Sequence, residues 1–442
     1  MRLTLEEIAG AVKGIVVGDG KQIVTNISTD TRTIKEGSLF VALRGESFDA
    51  HSFVKNAFEG GAVCAMVEQK TEGCHILVED TKRALGDLAR YYMESLDIPV
   101  VAVTGSTGKT TTKDIIASVL SQKYNVLKTE GNFNNDIGVP LTIFRLEKEH
   151  QVAVIEMGMN HFNEISYLSS IARPDVAVIT NVGVSHIENL GSRQGILKAK
   201  CEIFEHMKSD GVKILNGDDD MLSTVKEADI CWYGGSRDNQ VYGYNIQPMG
   251  LEGIKAVIGC SKGEIEVTVP VPGNHMVSNA MAATAVGMAL GLGLEEIKAG
   301  IEAFKPTKMR MDIIKTDKYS IINDVYNANP VSTKAGIDVL CGVKGKTACI
   351  LGDMLELGSF SADLHRQVGE YAKEKGIDLI VCIGRESKYM YEGALGGKQV
   401  YYFEDKQEFI QTYSEILKDN MTILVKASRG MHFEKIVEAI SK

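Results

Sequence analysis

The sequence predicts an α/β fold of three domains with a doubly wound parallel sheet at its centre, and three observations carry that prediction. Val100-Val101-Ala102-Val103 is a continuous apolar run, as expected of a strand buried on both faces, and it breaks directly into Thr104-Gly105-Ser106-Thr107-Gly108-Lys109-Thr110-Thr111-Thr112. Apolar runs followed by helical patterns return at 152–155, 176–179 and 212–215, and in the C-terminal third at 347–351, 378–383, 398–403 and 421–425. At 442 residues the chain exceeds one ordinary core. Roughly two to four domains of usual size would hold it, and three fit best.

Composition narrows the function classes. A hydrophobic content of 44% and a charged content of 24% are those of a packed globular protein. The formal net charge of −10, with no basic stripe, argues against a nucleic-acid partner. Eight cysteines without a C-x-x-C pair predict neither a zinc site nor a disulfide framework. Residues 1–7 hold no signal-like apolar region and no run is long enough to span a bilayer, so a cytoplasmic protein without membrane insertion is expected.

Residues 1–97 read as a first α/β domain. Thr4 is placed to cap a helix with Leu5, Ile8 and Ala9 on one face. The apolar strand near 39–43 is flanked by Asp30, Arg32, Asp49 and His51, groups that could bind a polar ligand but that taken alone read as solvated turn charges.

The second domain, residues 98–307, opens on the glycine-rich loop. The pairs Ile115/Val119 and Ile116/Leu120 have helical spacing, so the loop sits at a helix N-terminus. There unpaired N–H groups and the helix dipole attract phosphate, and Gly105 and Gly108 let the backbone approach it. Ser106, Thr107 and Thr111 complete the cradle, Lys109 would reach β/γ-phosphates, and Thr110 would hold Mg²⁺. The usual phosphate-loop spacing would place glycine at 103, where this chain has Val103.

Glu156 ends the 152–155 run at the edge where open α/β sheets bind ligands, which makes it a candidate Mg²⁺ ligand. His186 follows the 176–179 run on the same edge, where a lone histidine is more often structural. Lys198, Lys200 and Glu202 lie on a predicted helix and read by helix statistics as a solvated face. Asn132 and Asn135 belong to an amide-rich stretch that reads as a turn. His275 and Asn279, four apart, share one helical face that would suit gripping a planar base, with helix capping as the simpler alternative. Residues 308–442 form a second doubly wound α/β unit, in which DVYNANP, GDMLELG and KASRG each follow a strand.

Taken in order, TGSTGKTTT, EGNFNNDIGVP, EMGMNH, TNVGVSHIENLGS, KAKCEIF, GNHMVSNAMAA, DVYNANPVS, GDMLELG and KASRG resemble the Mur ligase family over nearly the whole chain. DVYNANP and GDMLELG point to the branch that adds D-alanyl-D-alanine. The resemblance implies an ATP-dependent peptide ligase using ATP and Mg²⁺. It would join D-Ala-D-Ala to UDP-MurNAc-tripeptide through an acyl phosphate, in peptidoglycan precursor synthesis. It further implies a central P-loop ATP-binding doubly wound sheet, flanked by an N-terminal α/β precursor-binding domain and a C-terminal Rossmann-like domain. A monomer is expected.

Carried over by motif, Lys109 and Thr110 serve phosphate and Mg²⁺, Glu156 and His186 serve the metals, and Lys200 bears a carbamate as an anion of the metal site. That role overrides the solvated-face reading. The resemblance also implies that His275 and Asn279 flank adenine and that Arg310 meets phosphate. Asp324, Tyr326 and Asn329 would serve nucleotide and incoming dipeptide. Asp30, Arg32, Asp49, His51, Asn132 and Asn135 match the precursor side. The chain departs from common family usage at Thr107, Ala50 and Cys201, where Asn or Ser, Gly, and Gly respectively are frequent. Two other readings stand beside this one: a ligase of the same architecture acting on another precursor or on folate, and a P-loop switch whose nucleotide drives assembly. Glu156, His186 and Lys200 together weigh against the switch.

Overall fold

Thr4 starts the first helix with a reciprocal cap. Its Oγ1 accepts the N–H of Glu7 at 3.2 Å while the Glu7 carboxylate accepts the N–H of Thr4 at 2.7 Å, and the helix Leu5–Val12 buries Leu5, Ile8, Ala9 and Val12. The computed structural model describes residues 1–45 and 48–442. The chain divides into two compact units: Met1–Val103 with Tyr124–Ala177 and Glu202–Gly211, and Thr104–Lys123 with Val178–Cys201 and Val212–Lys442.

The first unit holds a five-stranded sheet in the order Ile15–Val17, His75–Leu77, Ala62–Val67, Ser38–Val41, Asn26–Ser28. Its pairs are parallel except at the Ile15–Val17 edge. Phe40, Ala42, Ala50, Val54, Ala57 and Ala65 pack together beneath it. Ala50 opens the 3₁₀ turn Ala50–Phe53 outside the positive-φ region, a backbone conformation that does not call for glycine. The same unit contains Val152–Glu156, which pairs in parallel with Val126–Lys128 on one side and with residues 100–103 on the other. Val152–Glu156 and residues 100–103 are buried throughout and almost wholly apolar, as parallel strands covered on both faces are.

In the second unit Val212–Asn216, Ile230–Gly234 and Val241–Pro248 run parallel, and an antiparallel pair, Ile254–Cys260 and Gly263–Val269, extends them. The helix Asn274–Ala289 packs on these strands and on the helix Lys109–Leu120. The C-terminal sheet runs in the order Asp312–Lys315, Tyr319–Asn323, Met421–Lys426, Thr347–Gly352, Leu379–Ile383, Val400–Phe403, parallel after its first pair. Ile321, Ile350, Val381 and Ile423 are fully buried in its core, each contributing about 1.5–3 kcal/mol of apolar transfer. Met421–Lys426 lies between Tyr319–Asn323 and Thr347–Gly352, so the chain order reverses there. The strand ends at that switch point carry DVYNANP, GDMLELG and KASRG on one edge, the position where such sheets bind ligands.

Candidate active site

The glycine-rich loop joins the strand Val100–Thr104 to a helix N-terminus, as its sequence predicts. Gly105 has φ +154° and Gly108 has φ +76°, and Gly108 stands at the N-terminus of the helix Lys109–Leu120 with no side-chain cap. The helix's first N–H groups are therefore left for a ligand, in the field of the helix dipole. Lys109 folds back over the loop, its Nζ donating to the Gly105 carbonyl at 2.7 Å, and Thr110 is buried at the loop's end.

What pins the loop was not singled out in the sequence. Asn181 Oδ1 accepts the Thr107 N–H at 2.9 Å, Asn181 Nδ2 donates to Thr107 Oγ1 at 2.7 Å, and Thr180 Oγ1 donates to the Thr107 carbonyl at 2.6 Å. The Gly183 N–H donates to Ser106 Oγ at 2.9 Å. Thr107 thus supplies a hydroxyl that helps hold the loop in shape. The signal lay in the first letters of TNVGVSH, read only for their histidine.

Lys200 overturns the solvated-face reading of its helix. Lys198 is exposed, but Lys200 is 2% exposed, because it falls four residues after Ile196 and three after Leu197, on the apolar stripe. Burial, and after it the positive charge of Lys109, holds its pKa well below the ordinary lysine value. Such an amine spends part of its time neutral and nucleophilic. In the first unit the buried Glu202 accepts the Asn163 N–H at 2.8 Å and the Ser166 N–H at 3.3 Å, bonding the first N–H groups of the helix Glu164–Ala172. Burial raises its pKa.

His186 has φ +63°, and its Nδ1 stands 3.1 Å from Oε2 of Glu356, itself at φ +64°. That hydrogen bond, and more distantly Lys109, holds the Glu356 carboxyl below its usual range. Beside it Asn329 Nδ2 donates to Ser185 Oγ at 3.1 Å, while Asn329 Oδ1 caps the helix Pro330–Cys341 by accepting the Ser332 N–H at 2.9 Å.

His275 and Asn279 do not cap their helix: Gly273 occupies that position without a side-chain bond. The capping alternative therefore falls. Asn279 is buried with its Oδ1 accepting from Thr112 Oγ1 at 3.1 Å, so it fixes this helix to the helix of the phosphate loop, and His275 is exposed.

In the C-terminal sheet Asp324 accepts from Lys426 Nζ at 2.5 Å and from the Met311 N–H at 3.2 Å, while the Tyr326 N–H donates to the Met309 carbonyl at 3.1 Å. These bonds set the turn that carries Arg310, whose guanidinium carbon lies 3.9 Å from the Tyr326 ring centroid, a cation–π stack. Arg310 Nε is buried with no hydrogen-bond partner among the described residues, a donor suited to an anion.

Within the first unit Glu156 is buried at its strand end, with Oε1 accepting from Asn134 Nδ2 at 2.8 Å. Asn134, not its neighbours, is the amide that meets this carboxylate. Asn135 Oδ1 accepts the Gly138 N–H at 2.8 Å at the start of the helix Gly138–Ile143, and Asn132 is exposed. Asp30 forms a bidentate pair with Arg32, at 2.9 Å from Nε and 2.6 Å from Nη2, and the arginine pushes the Asp30 pKa down to about 2. His51 donates from Nδ1 to Asp49 at 2.6 Å and accepts the Glu68 N–H on Nε2 at 2.9 Å, so both ring nitrogens are engaged within the fold.

Comparison with known proteins gives a consistent pattern. The Mur ligase family, catalytic domain, matches residues 23–93, the Mur ligase middle domain 103–287, and the Mur ligase, glutamate ligase domain, 309–429. The UDP-N-acetylmuramoyl-tripeptide–D-alanyl-D-alanine ligase of Bacillus subtilis is 41% identical, covering 99% of this chain and 98% of its own length. The enzyme of the same name from Escherichia coli is 36% identical over 100% of this chain and 98% of its own. A crystal structure of MurF from Acinetobacter baumannii superposes with a TM-score of 0.94 at 34% identity, covering 100% of this chain and 99% of that one. MurF ligase from Thermotoga maritima in complex with ADP gives 0.85 at 28% identity over 94% and 97%.

Proposed function

The chain belongs to the Mur ligase family, and on that premise we propose that it is the ATP-dependent ligase that joins D-Ala-D-Ala to UDP-MurNAc-tripeptide in peptidoglycan precursor synthesis. The observation that carries this reading is full-length likeness to enzymes of that name, together with a glycine cradle at a helix N-terminus in the chain itself. The likeness to an ADP-bound neighbour supports ATP as the energy source.

A carboxylate is a poor electrophile, so the reaction first transfers the γ-phosphoryl group of ATP to the tripeptide carboxylate. The dipeptide amine then attacks the acyl phosphate, and phosphate leaves as the amide forms. In this reading Gly105 to Thr111 cradle the phosphates, and Lys109 and Arg310 neutralise charge on the group in transfer, an electrostatic contribution of several kcal/mol at comparable sites. His275 and Asn279 serve the adenine side. Asp324 holds the turn that aims Arg310, and Tyr326 and Asn329 lie on the side of the incoming dipeptide. Asp30, Arg32, Asp49, His51, Asn132 and Asn135 serve the precursor side.

The residues present suit Mg²⁺. Thr110 offers a hydroxyl at the loop, Glu156 a buried carboxylate, and His186 an imidazole whose Nδ1 is already engaged by a carboxylate. Lys200, a buried amine held below its usual pKa, suits conversion to an anionic carbamate. When bound, Mg²⁺ supplies positive charge to the phosphate oxygens. The proposal includes domain boundaries at 97/98 and 307/308 and a cytoplasmic monomer; among the described residues no helix is long and apolar enough to cross a membrane.

The test is substrate dependence. Phosphate release from ATP should require both UDP-MurNAc-tripeptide and D-Ala-D-Ala and should match the amide product formed. Release indifferent to the dipeptide would contradict the assignment.

A further inference from the structure

GDMLELG carries a residue with no role in the scheme above. Glu356 sits at φ +64°, a backbone conformation that costs a non-glycine residue free energy and persists only where its surroundings enforce it. The surroundings do so here. The Met354 N–H donates to Nε2 of the fully buried His365 at 2.9 Å, and His365 Nδ1 donates in turn to the Ser361 carbonyl at 2.8 Å. The Leu355 N–H donates to Ser428 Oγ at 2.9 Å, and the Ser428 N–H donates to the Asp353 carbonyl at 3.1 Å. Asp353 itself is locked by the Ser387 N–H and hydroxyl, each at 2.7 Å. The loop is therefore held from below and presents Glu356 outward.

What Glu356 reaches is His186 Nδ1, at 3.1 Å. The contact is flanked on both sides: Asn329 bonds Ser185 at 3.1 Å, and a Cβ built on Gly358 would lie 3.1 Å from Glu188 Cγ. A histidine that ligates a metal through one ring nitrogen commonly gives its other N–H to a carboxylate, which fixes tautomer and ring orientation.

Resting on the metal-side reading of His186, we propose that Glu356 is a positioning residue: its carboxylate accepts the Nδ1–H of His186, which keeps that proton, and so turns Nε2 toward the cation that accompanies the nucleotide. The carboxylate comes from the C-terminal sheet and the imidazole from the phosphate-loop domain. The cation site is therefore complete only while these two segments are docked.

The test uses the full chain saturated with a non-hydrolysable ATP analogue and reads the affinity of enzyme-bound Mn²⁺ by electron paramagnetic resonance. Glu356→Ala should weaken Mn²⁺ by about 10–100-fold, and Glu356→Gln, which keeps an acceptor, should lose less. In a His186→Ala background, Glu356→Ala should cost nothing further. Unchanged Mn²⁺ affinity in Glu356→Ala, with His186→Ala weakened, overturns this proposal and leaves the metal role of His186 intact. Unchanged affinity in His186→Ala overturns both. Full additional loss in the double variant shows Glu356 acting other than through His186 and also overturns the proposal.

Discussion

Thr180 Oγ1 occupies the space a side chain on Gly105 would need: a Cβ built on that glycine would stand 1.9 Å from it. The same hydroxyl donates to the Thr107 carbonyl at 2.6 Å, so it cannot turn aside without releasing the loop. Gly105→Ala must therefore displace Thr180 while also adopting a positive φ, a strain of about 1–3 kcal/mol. Affinity for an ATP analogue, measured by calorimetry, should fall by at least about tenfold. Wild-type affinity in Gly105→Ala would remove the loop from nucleotide binding.

Lys200 should be found carbamylated. Its burial and the nearby charge of Lys109 disfavour the ammonium form, and the neutral amine can add carbon dioxide. Protein equilibrated with isotopically labelled carbon dioxide should show a carbamate carbon resonance that Lys200→Ala lacks. Turnover of Lys200→Ala should drop by roughly 10²-fold or more, with partial recovery on adding short carboxylic acids. A wild-type rate in Lys200→Ala would end the idea.

His365 should make stability depend on pH in one direction. Burial holds its pKa below the ordinary 6.5, and both ring nitrogens are used in a neutral tautomer. The unfolded chain binds a proton near that ordinary value while the folded chain does not. The stability is thus fully present above it and is lost as pH falls through roughly 6.5. Melting temperature should therefore drop between about pH 7.5 and about pH 5.5, and the drop should be smaller in His365→Gln. Equal drops in the two proteins would contradict this placement of the proton.

The alternation of apolar runs was legible because parallel strands covered on both faces must be apolar throughout, and the runs near 100, 152, 176, 212, 347, 379, 400 and 421 all became strands. The glycine-rich turn was legible because Gly105 and Gly108 break an apolar run just before helical spacing begins, and the structure places it between a strand and a helix N-terminus. Charge statistics alone place Lys200 on a solvated face, whereas its spacing from Ile196 and Leu197 places it on the buried stripe. Asn181, Asn134 and Glu356 were not separable from their motifs. Their partners Thr107, Glu156 and His186 lie 74, 22 and 170 residues away in sequence, and only the fold brings each pair together.

Acyl-phosphate chemistry is tested most directly by the fate of one oxygen atom. With the terminal carboxylate of UDP-MurNAc-tripeptide isotopically labelled, transfer of the γ-phosphoryl group to that carboxylate followed by attack of the D-Ala-D-Ala amine carries one labelled oxygen into the released phosphate. Mass analysis of that phosphate should find the label in step with amide formation. Phosphate free of label, its fourth oxygen drawn from water, would contradict an acyl-phosphate ligase.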